Sequence, residues 1–355
     1  MPLWALLVPP AALSMLAIAL LAPDGWLVAA GCGIILVPAV LAGVHHAELV
    51  AHRVGEPLGT LVLAVAITVI EVALIVSMMA SGGADKASLP RDTVFSTVMI
   101  ICNGVVGLCV LLGGLRHHEQ AFRIQGASSA LACLIALCTL SLVLPAFTTS
   151  APGLAYTLPQ LMFASAASLA LWAVFVFVQT VRHRDYFLPE GQASDEAAHA
   201  PPPSNRRAWA SFALLLMCLV AVVGLAKALA PSIEAAVRSV RAPGTVIGIA
   251  IALLVLLPET LAALRAARAD RLQTSLNLAL GSALASIGLT IPIVAVASIW
   301  LDIQLVLGLQ PKDLVLLMLT FVVGAVTLAT GRTSVMQGAV HLVMFAAFLF
   351  LAFVP

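Results

Sequence analysis

Apolar stretches long enough to form membrane helices recur along the whole chain. A helix of about 20 apolar residues crosses the hydrocarbon core of a bilayer, and a sliding window of that length predicts eleven such spans. The predicted spans are residues 3–22, 26–44, 57–80, 94–115, 127–145, 158–181, 208–229, 244–265, 275–299, 314–330 and 335–353. These stretches lack the alternation of roughly ten-residue strands that builds an outer-membrane barrel. The pattern therefore predicts an all-α integral membrane protein with eleven transmembrane helices.

Composition agrees with a membrane protein and excludes several classes of function. Of the 355 residues, 62% are hydrophobic and 9% are charged, which lies far outside the composition of soluble globular domains. The formal net charge is +1 and the basic residues are spread among loops, so we expect a lipid bilayer and no nucleic acid as partner. The chain carries no histidine-glutamate metal motif and no nucleophile beside a base, so we expect neither an enzyme nor a cofactor.

One long polar segment separates the predicted spans into two halves. Residues 182–207 include the run Pro201–Pro203, and polar, proline-rich stretches of this kind are typical of linkers. The linker divides the chain into a first half at residues 26–181 and a second half at residues 208–355. The first span, within residues 1–25, is left over as an extra helix.

The number of spans in each half predicts how the halves lie in the membrane. Each half holds five spans, and an odd number forces the two halves into opposite orientations. Inverted repeats with ion sites near the midplane are typical of secondary transporters. A cytoplasmic amino terminus places most arginines and lysines in cytoplasmic loops, as the positive-inside rule expects. This orientation also places the linker in the cytoplasm and the carboxyl terminus outside.

Two glutamates lie inside predicted spans, at corresponding places in the two halves. Glu71 and Glu259 are the acidic residues of their apolar stretches, and burying an ionised carboxylate at the bilayer midplane costs about 2.5–3.5 kcal/mol or more. Such residues face a cavity, a partner or an ion. Ala64 and Thr68 precede Glu71 at the spacing at which Ala252 and Leu256 precede Glu259, which again pairs the halves.

The next helix in each half adds further oxygen atoms. Asn103 stands beside glycines, while Ser282 and Ser286 are one turn apart and share a helix face. Hard cations such as Ca²⁺ take six to eight oxygen ligands from carboxylates, carbonyls, amides and water. Pro258 has no backbone N–H, so we also expect unwound helix near Glu259 with carbonyls that could bind an ion.

The same glutamates explain coupling to protons. Burial and mutual repulsion favour the protonated carboxyl group, whereas a bound divalent cation favours the charged form. Cation and proton therefore compete for the carboxylates. Two carboxylates without a bound cation or proton are costly inside a membrane. We therefore expect the protein to change conformation only when the carboxylates bind either metal or protons, which makes exchange obligatory.

Two motifs carry a resemblance to a known family. Residues 55–60 with 67–72 resemble the first alpha-repeat of the calcium/cation antiporter superfamily, in particular of bacterial ChaA-type antiporters. Residues 257–260, 272–277 and 281–292 are similar to the second. The two alpha-repeats then extend over about residues 55–115 and 244–299, in the right order and with inverted topology.

The resemblance implies roles for individual residues. Those that match cation- or proton-binding positions of the family are Glu71 and Glu259 as central carboxylates, Asn103, Ser286 and Ser282 as polar positions, and Ala64 and Ala252 as positions that can offer backbone carbonyls. Thr68 is a further candidate ligand, from its hydroxyl one turn before Glu71 and not from the resemblance. The spans 26–44 and 208–229 are similar to the pair of helices that slides to alternate access. The implied function is exchange of Ca²⁺ for protons across the bacterial inner membrane, with Na⁺ and K⁺ as further candidate ions.

Two other interpretations of the glutamates are weaker. They could form the selectivity pair of a cation channel, which predicts flux without counter-transport, or belong to a membrane-embedded enzyme, for which the motifs are missing.

Histidines near the span ends have two interpretations. His45 and His46, close to Glu48 and His52, and the pair His117 and His118 either lie in solvated cytoplasmic loops or sense cytoplasmic pH, because histidine titrates near neutrality. His341, within the last span, is interpreted as a packed, neutral residue.

Overall fold

The computed structural model describes residues 1–22, 25–55, 58–188, 203–239 and 243–354, with side chains excluded at 58–64, 234, 237 and 238. Within these described residues, eleven helices are long and apolar enough to cross a membrane. The predicted number of spans is thereby confirmed. Helices dominate because a chain in hydrocarbon must satisfy its backbone hydrogen bonds within each segment.

Most of the described residues lie in helices. The helices are α1 Leu3–Leu21, α2 Trp26–Val54, α3 Leu58–Gly82, α4 Leu89–Met99, α5 Val106–His117, α6 Ile124–Cys138, α7 Leu158–Phe177, α8 Asn205–Ser239, α9 Thr245–Arg268, α10 Leu272–Leu301, α11 Pro311–Ala329 and α12 Val335–Phe353. Two short strands, β1 Gln120–Ala121 and β2 Arg332–Thr333, pair antiparallel.

Local sequence explains several helix ends. Thr157 before α7 and Ser334 before α12 each form a capping box with a glutamine three residues later, which satisfies backbone N–H groups that a helix start leaves exposed. α10 ends at Leu301, and the next residue, Asp302, adopts the left-handed conformation with φ 53°. Aspartate tolerates this region better than most residues.

The second helix is longer than the hydrophobic pattern predicts. The predicted span ends at residue 44, whereas α2 continues to Val54 and ends before Gly55, whose φ is +80°. His45 and His46 therefore lie in a helix, and their placement in a solvated loop is wrong. The polar residues that ended the predicted span do not break a helix, so α-helical geometry persists until the glycine.

The fourth span departs from a regular helix in its centre. A π-helical segment, Ile100–Val105, joins α4 to α5 within one membrane-length span. A π turn closes hydrogen bonds between residues five apart, and such turns occur frequently at functional sites. Asn103 lies in this segment.

Part of the predicted linker falls outside the described residues. Within the linker as predicted, residues 182–207, a short 3-10 turn covers Arg184–Phe187 and α8 begins at Asn205. Residues 189–202 lie outside the described residues.

The chain separates into two compact units, each of which takes helices from both halves of the sequence. Unit 1 is Met1–Lys86 with Ala200–Val255. In it α2 packs against α8, and α1 packs against both. Its apolar core includes Leu36, Ile70 and Val222.

A histidine side chain supplies a hydrogen-bond donor that the first helix of unit 1 lacks. Pro9 lies inside α1 and has no N–H, so a helix of this sequence has no donor for the carbonyl of Ala5 four residues earlier. The imidazole Nε2 of His46, on α2, lies 2.8 Å from that carbonyl oxygen. Because a carbonyl only accepts, Nε2 carries the proton and donates it. His46 thus connects α1 to α2.

Unit 2 is Ala87–His199 with Leu256–Pro355. In it α5 packs closely on α12, α10 packs on α6 and α7, and α11 packs on α6. The crossing of α5 and α12 depends on two glycines, because a Cβ at Gly338 would lie 2.5 Å from the backbone nitrogen of Leu111, and one at Gly107 2.8 Å from the Cβ of His341. Small residues allow membrane helices to approach closely.

A buried ion pair stabilises the start of α4 in unit 2. Arg91 and Asp92, at the start of α4, are joined at 2.8 Å, and Arg91 also donates to the carbonyl oxygen of Gly308 at 3.2 Å. The Ser88 hydroxyl donates to the second carboxylate oxygen of Asp92. The start of α4 is thereby held against the segment that precedes α11.

Candidate cation site

Glu71 lies on a buried part of α3. Its side chain is 3% exposed, and Thr68, one turn earlier, is buried as well. Ile70 and Leu74 belong to the apolar core of unit 1, so packing of the neighbouring side chains fixes this part of α3. Ala64 lies in the same helix, but its side chain is outside the described part of the structure.

Glu259 lies on α9, which continues through Pro258 without a break. Both carboxylate oxygens of Glu259 are shielded from solvent. The expectation of unwound helix here is wrong, because α9 is helical from Thr245 to Arg268. A proline removes one N–H without ending a helix when the residues around it keep helical geometry. The Thr260 hydroxyl donates to the carbonyl oxygen of Leu256 at 2.7 Å.

The carboxylates belong to different units. Glu71 lies in unit 1, and Glu259 lies in unit 2. Ala252, whose carbonyl is a predicted ligand, is fully buried on the part of α9 that belongs to unit 1.

Side chains from the α5–β1 segment hold the end of α9 in unit 2. The ring Nε2 of His117 lies 3.1 Å from the carbonyl oxygen of Arg268, and the amide of Gln120 donates to the carbonyl of Ala267 and to Asp270. Carbonyls in the last turn of a helix have no intrahelical donors, so these bonds complete the helix that carries Glu259. His118 is exposed and has φ 67°.

The two predicted serines lie on α10. Ser286 is buried and Ser282 is half-buried. Their helix packs against the π-helical segment that carries Asn103. Unit 2 therefore brings together the two elements that hold Ser282, Ser286 and Asn103.

Asn103 is fully buried and takes part in a polar network with side chains of α11 and α12. Its amide nitrogen donates to the Thr320 hydroxyl at 2.8 Å, and its Oδ1 lies 3.1 Å from the ring Nδ1 of His341. The ring Nε2 of His341 lies 3.0 Å from the Thr327 hydroxyl. Thr320 and Thr327 are absent from the residues predicted from sequence, and His341 is present there only as a packed residue. The sequence feature that could have identified these three residues is a polar side chain inside an apolar span.

The donor atoms suit a hard cation. Carboxylate, hydroxyl and amide oxygens are the ligands that Ca²⁺ and similar ions prefer. Among the described residues, no group of three or more His, Cys, Asp or Glu side chains could hold a metal ion.

Comparisons with known proteins agree with this architecture. The pattern of the sodium/calcium exchanger protein family matches residues 25–181 and 210–354. Over 322 residues the chain is 51% identical to y4hA of Sinorhizobium fredii, which bears the name of an ionic transporter, covering 90% of this chain and 87% of that protein. It is 35% identical over 313 residues to the sodium-potassium/proton antiporter ChaA of Escherichia coli, covering 87% and 84%.

A solved structure supports the same fold. The structure of the Ca²⁺/H⁺ antiporter protein YfkE superposes with a TM-score of 0.75 at 16% identity, over 99% of each chain. The eleven-helix architecture and the ChaA-type resemblance are both confirmed. The chain therefore belongs to the sodium/calcium exchanger protein family.

Proposed function

We propose that this protein is a secondary active transporter that exchanges Ca²⁺ for protons across the bacterial plasma membrane, with Na⁺ and K⁺ as further transported ions. The observation that carries the proposal is the placement of Glu71 and Glu259. Glu71 is almost fully buried, and both carboxylate oxygens of Glu259 are shielded from solvent. Both residues lie inside membrane-length helices.

The coupling follows from the chemistry of the carboxylates. A shielded carboxylate is costly as a bare charge, so it binds either a cation or a proton. Cation and proton thus exclude one another at Glu71 and at Glu259. The exclusion makes transport an exchange, because the unloaded, charged protein is disfavoured.

The neutral residues complete the proposed ligand set. Asn103, Ser282, Ser286 and Thr68 supply amide and hydroxyl oxygens, and Ala64 and Ala252 supply backbone carbonyls. The burial of Asn103, Ser286 and Thr68 supports their role, because a buried polar oxygen binds an ion without competition from bulk water.

Alternating access is assigned to α2 and α8. These two helices pack against each other in unit 1, and the residues that the hydrophobic pattern predicts as their membrane spans, 26–44 and 208–229, contain no acidic side chain. Sliding of an apolar surface past lipid or protein breaks few polar contacts. In the predicted orientation, the amino terminus and the linker are cytoplasmic and the carboxyl terminus is outside.

The names of relatives supply the candidate ions. ChaA is named a sodium-potassium/proton antiporter, and YfkE a Ca²⁺/H⁺ antiporter. We place Ca²⁺ first because carboxylate oxygens are the ligands that this divalent cation prefers.

Reconstitution in liposomes tests the function. Purified protein is reconstituted with a pH-sensitive dye inside, a pH gradient is imposed, and CaCl₂, NaCl or KCl is added in turn. We expect proton movement on addition of Ca²⁺ that is absent from protein-free liposomes. Cation flux that ignores the pH gradient would indicate a channel, and no proton movement with any of the three ions would refute the antiporter.

A further inference from the structure

The Asn103 amide has one consistent orientation in the polar network of unit 2. The Thr320 hydroxyl donates its proton to the carbonyl oxygen of Leu316 at 2.7 Å, so its oxygen accepts from Asn103. The end of the amide that faces Thr320 at 2.8 Å must therefore be the NH₂ group. The carbonyl end, Oδ1, faces His341.

The orientation of Asn103 in turn determines the tautomer of His341. Because Oδ1 only accepts, the ring Nδ1 of His341, 3.1 Å away, carries a proton and donates it. In the neutral ring Nε2 is then an acceptor, and the Thr327 hydroxyl, 3.0 Å away, donates to it. Every member of the network has a compatible role.

Packing of three separate elements builds this arrangement. Asn103 comes from the π-helical segment, Thr320 from α11 and His341 from α12, and all three side chains are buried. The close approach of Gly107 to the Cβ of His341 brings α12 near the segment that holds Asn103. Side chains of α11 and α12 therefore hold the Asn103 amide, and these two helices carry none of the proposed cation ligands.

We propose that Thr320 and His341 are positioning residues for the transported cation, because they hold the Asn103 amide in one orientation. An amide oxygen has two lone pairs, of which His341 uses one, and the second is the proposed cation ligand. The proposal rests on the proposed function, since it concerns the affinity of the same site. Groups that orient a metal ligand without touching the metal change affinity by about 10- to 100-fold when they are replaced.

Paired substitutions at each position test the proposal. Thr320→Val removes the acceptor with little change in volume, whereas Thr320→Ser keeps a hydroxyl. His341→Leu removes the N–H donor, whereas His341→Asn keeps an N–H close to the position of Nδ1. We expect the KM for Ca²⁺ to rise about tenfold or more in Thr320→Val and His341→Leu, with a much smaller change in kcat, and to return toward wild type in Thr320→Ser and His341→Asn.

A control separates positioning from loss of a buried polar group in general. Ser168 lies buried in unit 2 and faces Ser141 at 3.4 Å, and Ser168→Ala should leave the KM unchanged. A wild-type KM in both Thr320→Val and His341→Leu would overturn the proposal. An equal loss of folded protein and of kcat without a change in KM would also overturn it, because that is the result of a purely structural network.

Binding is measured beside transport so that two failures can be told apart. Ca²⁺ that binds the folded protein raises its melting temperature, and the midpoint of that rise reports affinity without transport. If wild-type protein binds Ca²⁺ but moves no protons, the proposed function fails, and the shift of the binding midpoint in the variants still decides the positioning role. If the wild type exchanges normally and no midpoint shifts, only the positioning role fails.

Discussion

The ring Nε2 of His46 lies 2.8 Å from the carbonyl oxygen of Ala5, which is the carbonyl that Pro9 leaves without an intrahelical donor. The hydrogen bond connects the extra amino-terminal helix to α2, one of the two helices that we propose to move. His46 therefore has a structural role that its polar character alone does not indicate.

Loss of this bond should destabilise the protein. In His46→Leu the Ala5 carbonyl loses its donor inside the packed contact of α1 with α2, which we expect to cost about 1–3 kcal/mol. The melting temperature in detergent should fall. His52→Leu, at an exposed position of the same helix, is the matched control and should change it little.

A second substitution tests the physical reason. Pro9→Ala supplies a backbone N–H for the Ala5 carbonyl, so the double variant Pro9→Ala with His46→Leu should be less destabilised than the sum of the single variants. A coupling energy of about 1 kcal/mol is expected in the double-mutant cycle. Strict additivity would show that His46 does not substitute for the missing N–H.

Neutral substitutions at the two glutamates should abolish exchange. Glu71→Gln and Glu259→Gln keep the shape of the side chain but remove the group that cation and proton share. We expect Ca²⁺-driven proton movement in liposomes to fall to the level of protein-free vesicles, with a folded protein by size-exclusion chromatography. Glu119→Gln, at an exposed residue near Arg332, is the control and should retain exchange. Full activity in either test variant would contradict the assigned role.

The crossing of α5 and α12 should not tolerate a side chain at Gly338. A Cβ there would lie 2.5 Å from the backbone nitrogen of Leu111, and backbone can yield only by moving a helix. We expect Gly338→Ala to cost about 1–3 kcal/mol through overpacking. In contrast, Gly281→Ala meets no atom within 4 Å and should be neutral or stabilise by up to about 1 kcal/mol. Thermal unfolding of the two variants under the same conditions compares them, and equal melting temperatures would disprove the close contact.

The histidine pair at the end of α5, His117 and His118, is a candidate pH sensor. His117 bonds to the end of the helix that carries Glu259, so a change in its charge would act directly on α9. We expect the double variant His117→Gln with His118→Gln to flatten the dependence of exchange on cytoplasmic pH. His183→Gln, at another exposed histidine, should keep the wild-type profile. An unchanged pH profile in the double variant would contradict a sensing role for His117 and His118. The pH profile of a variant with His45→Gln and His46→Gln tests the other predicted pair in the same way.

The hydrophobic pattern predicted the helices well but not their irregular parts. Spans were found because burial of about 20 apolar residues is a local property of sequence. The extension of α2 to Val54 and the π-helical segment around Asn103 were missed. Polar residues near a membrane surface are compatible with both helix and loop, and a π turn depends on packing around it. Pro258 shows the converse, because a strong local signal for unwinding was overridden in a continuous α9.

The sequence by itself determined the membrane class, the eleven spans, and the two glutamates at corresponding places in the halves, because charge inside an apolar stretch is visible without a fold. Only the tertiary structure decided which side chains meet. Asn103 pairs with Thr320 and His341, which lie 217 and 238 residues away, and His46 bonds to Ala5, 41 residues away. Such hydrogen bonds depend on how helices cross and on their rotation about their axes, and hydropathy along one chain contains neither quantity.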